Sequence, residues 1–355
     1  MSKKTKATVA VTLLASSVYL SGCGLFGEDK MEKIDPPQKV TSLKNADSLK
    51  STEKNSNEEK NTVMTELYLI DKNGYVVSQT LPLPNKSGVA AQALEYLVSD
   101  GPGQDLIPNG FRTVLPANTN ISVNVEKDGT AVVDFSKEFK NYDKADEEKI
   151  LQSITWTLTQ FDSIDKVKLM VNGEPLKEMP VNGTPINQEG LTRANGINND
   201  LSDVIDVTNT HPLTVYYLAE NGGHSYYVPV TKRVQNIEST DANAEIKQIV
   251  AELVKGPNKN SPLVSAFQSD VALLEDPVIK DGQVTLNFNE NILGSFEEKK
   301  IADSVLKPLV YTLTEKKEIK SVAVEVDGSS KLVNENGEPL TEPVTRPENV
   351  NTGSF

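Results

Sequence analysis

The chain has 355 residues with 50 acidic and 36 basic side chains, a formal charge of −14, and the sequence shows no basic patch of the kind a nucleic-acid partner needs. One cysteine excludes an internal disulfide, and the acidic excess reads as a solvated surface. The length suits about two ordinary domains.

Lys3, Lys4 and Lys6 precede an uncharged apolar run from Ala7 to Leu20, too short for a comfortable permanent span, so residues 1–22 are predicted to be a signal peptide. Leu20-Ser21-Gly22-Cys23 follows and resembles the bacterial lipobox. The Cys23 thiol is needed to take a diacylglyceryl group as a thioether, and the small residues before it admit the peptidase. Cys23 is therefore the expected lipidation site, with two acyl chains giving a stable membrane anchor. Residues 23–63 hold the lipidated cysteine and a polar stretch with few aromatic or β-branched side chains. Such a stretch buries too little apolar surface to offset its ordering entropy, and the prediction is a disordered tether spanning on the order of 35 Å.

Beyond the tether the sequence repeats itself. A strand is expected over Leu67 to Ile70, then a helix with the stripe Ala90, Ala93, Leu94, Leu97 and Val98, ending at Gly101-Pro102. Lys127-Asp128-Gly129 leads to Phe135 between alternating apolar segments, a hairpin signal. A second helix carries Ile150, Leu151, Ile154, Leu158 and Phe161, and a strand follows with Val167, Leu169 and Val171 on one face. Leu213 to Leu218 opens the second copy. Its first helix carries Ile246, Ile249, Val250, Leu253 and Val254 and ends at Gly256-Pro257. Lys280-Asp281-Gly282 leads to Phe288, the second helix carries Val305, Leu306, Leu309 and Leu313, and Val322, Val324 and Val326 form the strand. Pro308 is out of place in that helix, and a kink or a late start is expected. The tails also correspond, Thr192-Arg193 with Thr345-Arg346 and Ile197-Asn198 with Val350-Asn351.

The expected organisation is a first domain over 64–199 and a second over 212–352, joined by a short connector, Asp200 to His211. The fold class is α+β, two tandem copies of a small domain in which a β-sheet with hairpins is covered by two helices.

Residues able to carry chemistry are few. His211 and His224 lack Cys, Asp or Glu at metal-site spacing, and His224 reads as a turn residue after Asn221-Gly222-Gly223. Asp134 and Glu138 can face each other one helical turn apart as a hydrolase-type carboxylate pair, but the second copy has Asn287 in place of Asp134, so a strand-end or capping role fits better. Trp156 and Tyr68, Tyr96, Tyr216, Tyr217, Tyr226 and Tyr227 read mainly as packing residues. Arg193 and Arg346 recur in tails where either solvent or equivalent salt bridges account for them. No catalytic residue, cofactor, metal or small-molecule substrate is expected.

A lipobox, a polar tether and two units, each with helix, Gly-Pro, Asp-Gly hairpin, helix and strand, resemble the GerMN-domain family of sporulation and germination lipoproteins over roughly residues 64–352. The resemblance implies a non-enzymatic interaction protein in the envelope of endospore formers, held on the outer face of the mother-cell membrane around the forespore. It also implies protein partners in the assembly that joins the two cells, and a fold similar to the ring-building modules of secretion systems. A solute-binding lipoprotein would instead show an interlobe cleft, and a wall-glycan hydrolase would show convergent carboxylates in a deep groove.

Overall fold

The computed structural model describes residues 61–202, 204, 208–237 and 242–352. Cys23, the signal segment and the tether up to residue 60 lie outside the described residues, as does part of the connector, whereas Thr62 and Val63, expected in the tether, already belong to the first strand.

The first copy opens on a long antiparallel hairpin, β1 (Thr62–Asp71) and β2 (Val76–Pro84), turned at Gly74. After helix α1 (Val89–Glu95), the short β3 (Phe111–Arg112) pairs with the end of β1. A separate sheet follows in the order β4 (Ile121–Val125), β5 (Thr130–Phe135), β6 (Lys166–Val171) and β7 (Glu174–Pro175). Strands β5 and β6 are parallel, because α2 (Glu147–Leu158) carries the chain back between them as a crossover. Val133, Phe135, Val167, Leu169 and Val171 point into the core, the period of two that the sequence shows.

The second copy repeats this plan. Hairpin β8 (Thr210–Asn221) and β9 (His224–Gln235) is followed by α3 (Ala242–Lys255), then β10 (Val278–Lys280), β11 (Gln283–Phe288), α4 (Asp303–Leu313), β12 (Ser321–Val326) and β13 (Val344–Thr345). Strands β11 and β12 are again parallel. Phe135 and Phe288 occupy matching buried positions at the ends of β5 and β11. The chain is α+β with two repeated domains, and the finer picture differs in one respect. Each opening hairpin forms its own sheet, so every copy has two sheets where the sequence suggested one.

One further expectation is corrected, at Gly101, and another, at Pro308, loses one of its two alternatives. Gly256 does cap α3 at φ +78°, its N–H bonded to the Glu252 carbonyl. Gly101 has no such role, because α1 stops at Glu95 and Val98 bridges to Leu115 instead of continuing the helix. The extra residue of the first copy falls here, and Asp100 takes the left-handed backbone at φ +62°. Pro308 lies in the interior of α4, five residues past its first residue, so the helix does not start late to admit it. The ring leaves the Ser304 carbonyl without its helical donor.

Candidate interaction site at the junction of the two copies

The long hairpins bring the copies together. Val77 of β2 belongs to the core of the second copy, and Phe111 packs against both cores. The tails then cross over. In the first tail, the N–H of Ile197 bonds to the Thr231 hydroxyl of β9 at 2.9 Å, and the Ile197 carbonyl accepts from the Thr231 N–H at 2.8 Å. In the second, the N–H of Val350 bonds to the Thr80 hydroxyl of β2 at 2.9 Å, and its carbonyl accepts from the Thr80 N–H at 3.1 Å.

The next residue of each tail binds both hairpins. Asn198 Oδ1 accepts from Val76 N–H at 2.8 Å, while its Nδ2 donates to the carbonyls of Val76 and Pro229 at 2.7 and 2.8 Å. Asn351 Oδ1 accepts from Tyr227 N–H at 2.7 Å, while its Nδ2 donates to the carbonyls of Tyr227 and Ser78, both at 2.8 Å. Both asparagines sit in the left-handed region, at φ +48° and +54°, which Asn tolerates better than most side chains. The junction is thus a pseudo-twofold: each tail ties down the hairpin of its own copy and that of the other.

Its charged centre is not symmetric. Arg193 donates from Nη1 to Glu315 Oε2 at 2.8 Å and lies 4.4 Å above the Trp156 ring. Arg346 reaches Glu315 Oε1 at 2.9 Å and the Tyr216 hydroxyl at 3.0 Å, and Tyr216 donates to the same carboxylate at 2.7 Å. The place of Glu315 in the first copy is taken by Gln160, which bonds instead to the backbone of Glu66. One carboxylate therefore serves two guanidiniums. Burial pushes the Glu315 carboxyl up, but Arg193 and Arg346, with the Tyr216 hydroxyl, outweigh it and hold it at about 2. Removing a group so paired would leave two half-buried cations without their counter-charge.

Outside the junction, Glu147 at the start of α2 is 1% exposed. Its oxygens accept from the backbone N–H groups of Asn182 at 2.7 Å and Thr184 at 2.9 Å, and from the Tyr142 hydroxyl at 2.7 Å. Burial pushes its carboxyl up, but these bonds outweigh it and hold it at about 2. The carboxylate staples the loop after β7 to the helix. A Glu in the first turn of a helix is the only sequence signal it left, and that signal also marks ordinary dipole-compensating residues.

The other candidates resolve simply. Asp134 and Glu138 do not converge. Asp134 sits in β5, where its carboxylate accepts from Gly173 N–H at 3.0 Å, while Glu138 lies in a 3-10 turn beside Lys137. Asn287 performs the same task as Asp134, accepting from Gly328 N–H at 2.9 Å. Trp156 is fully buried, its Nε1 donating to the Gly196 carbonyl at 3.3 Å. Tyr68, Tyr96, Tyr216, Tyr217 and Tyr226 are buried and Tyr227 is half-buried. His224 starts β9 directly after the Gly222-Gly223 turn, and His211 lies in β8, facing Asn236 at 3.2 Å. Arg193 and Arg346 are the pair that sequence reasoning left undecided, and the junction decides it.

The chain and its tandem fold are similar to known proteins. The chain is 57% identical to the spore germination protein GerM of Bacillus subtilis (strain 168) over the full length of both chains. The solved tandem GerMN domains of the sporulation protein GerM from Bacillus subtilis superpose with a TM-score of 0.77 at 59% identity, covering 82% of this chain and all of that one. Residues 66–177 and 214–332 each match the family described as Germane, sporulation and spore germination, and the chain therefore belongs to that family.

Proposed function

We propose that the protein is a non-enzymatic, lipid-anchored scaffold that presents two rigidly joined domains to protein partners outside the cytoplasmic membrane during sporulation and germination. The observation that carries this reading is the junction. Reciprocal tail bonds and a shared carboxylate fix one domain against the other, which suits a body that holds partners at a set geometry. The sporulation and germination setting rests on the family match and the full-length relative. In this reading the domains run over 64–199 and 212–352, and Cys23 carries the acyl chains. The protein stands on the outer face of the mother-cell membrane and contributes to the assembly joining mother cell and forespore.

Cys23→Ser tests the anchor. With no thioether, fatty-acid label and membrane retention are lost in detergent phase partitioning, whereas retained label removes the lipoprotein reading. Removal of either domain is expected to abolish recovery of partners from sporulating cells, while single acidic substitutions leave it intact. Interface energy is spread over several anchors, whereas loss of a catalytic carboxylate costs orders of magnitude. One carboxylate-to-amide change that eliminated function in a folded, anchored and partner-bound protein would replace the scaffold by an enzyme.

A further inference from the structure

The two copies differ at the outer edge of their crossover sheets, and each serves as a control for the other. Strand β4 lies at the edge of the first sheet and pairs with β5 alone. The Ser136 N–H bonds to the Asn120 carbonyl and the Glu126 N–H to the Thr130 carbonyl, so Ser122 and Asn124, in step with these residues, face β5. In an antiparallel ladder the alternate residues turn their backbone groups the other way. Ile121, Val123 and Val125 therefore direct their N–H and C=O groups to the open side, and no charge or proline interrupts the strand.

The second copy guards the same edge. Its equivalent strand, β10, is 3 residues long, with Val278 opposite Thr285 and Ile279 opposite Val284. One step further along this register Pro277 falls opposite Leu286, the place that Val123 holds opposite Val133 in the first copy. Proline has no N–H to offer there, and Glu275 and Asp276 come just before it. Proline and charge are common guards of a free edge, because unpaired backbone groups template another strand. The first copy carries neither guard in β4.

The geometry also selects the occupant. Helix α1 packs over β4. A second copy joined edge to edge through β4 would set two such helices over adjacent strands, about 4.8 Å apart, whereas packed helices need about 8–10 Å. A lone extended segment brings no helix to clash. Its side chains alternate, one set beside the half-buried Ile121, Val123 and Val125 on the core face and the other beside the exposed Ser122 and Asn124.

We propose that β4 is a docking edge for an extended segment of a protein partner, one that alternates apolar and polar residues and joins the sheet as a further strand. This deepens the scaffold reading and rests on it for the existence of a partner. The test uses a synthetic peptide, so the two can fail separately.

The experiment is amide hydrogen exchange, read by NMR on the full chain in detergent, with a capped peptide of alternating valine and threonine, lysine at each end, as the probe. At about 1 mM peptide, exchange is expected to slow at Ile121, Val123 and Val125 and to stay unchanged at Ile279. Val123→Pro gives β4 the guard that Pro277 gives the second copy and removes no bond to β5, since the Val123 N–H points outward. It is expected to weaken binding tenfold or more. The same peptide N-methylated at its valines, the residues that fall opposite Val123, keeps its side chains but loses its donors, and is expected to weaken as much against the unaltered protein. That second measurement keeps the test readable if Val123→Pro does not fold. Absence of slowing at Ile121, Val123 and Val125 overturns the proposal, and so does equal binding by folded Val123→Pro or by the N-methylated peptide.

Discussion

Asn198 and Asn351, one at the end of each copy, make the same three hydrogen bonds from opposite sides of the junction, two to the hairpin of their own copy and one to that of the other. Neither tail could do this alone in an isolated copy, since the third bond needs the second hairpin.

Asn198→Ala and Asn351→Ala should therefore each destabilise the whole body. Three bonds are lost, two backbone carbonyls lose a donor, and alanine is strained at a positive φ. The expected loss is about 2–4 kcal/mol for each variant, read from urea unfolding. Faster amide exchange at Val76 in the first variant and at Tyr227 in the second locates the damage. A midpoint unchanged in both would mean that the tails do not hold the junction.

Glu315→Gln should cost more than Gln160→Glu gains or loses. The first leaves Arg193 and Arg346, each about a quarter exposed, without a counter-charge, at about 2–3 kcal/mol, below the cost of breaking a fully buried pair. Thermal unfolding of both variants checks the ranking, and equal midpoints would contradict it.

Stability should fall on acidification through the range set by Glu147 and Glu315. Both carboxyls move from an ordinary 4.5 to about 2 in the folded protein. The unfolded chain thus binds their protons first, so the stabilisation is fully present above about pH 5 and is lost progressively as pH falls from there toward 2. Unfolding midpoints measured at steps between pH 6 and pH 3 are expected to drop steadily, with a shallower slope in Glu147→Gln. An identical slope in that variant would assign the acid sensitivity elsewhere.

Asp134→Asn is expected to be nearly silent, within about 0.5 kcal/mol. The second copy already uses Asn287 for the same bond to Gly328 N–H, so an amide oxygen suffices. Unfolding by urea and recovery of partners are the two readouts, and loss of either alone would give the carboxylate a role the fold does not explain.

Much of the architecture was legible because local chemistry repeats along the chain. Gly282 and Asp281 both take left-handed backbone in a two-residue turn, as an Asp-Gly hairpin requires, and Gly256 caps its helix. The same reasoning failed at Gly101, where one extra residue and a bridge from Val98 to Leu115 end the helix early. A helix stripe shows which residues are buried, not how many turns precede the burial.

The sequence by itself determined the two-copy organisation, the fold class and the burial of Trp156, Phe135 and Phe288, because periodicity and turn residues act over a few neighbours. Only the tertiary structure decided what Arg193, Arg346, Asn198, Asn351 and Glu315 do. Arg193, Asn198, Asn351 and Glu315 each have a partner in the other copy, across separations such as 122 residues between Arg193 and Glu315, while Arg346 meets Glu315 from within the second copy. A residue whose bond crosses the junction leaves no periodic trace, and its role exists only when both hairpins are in place.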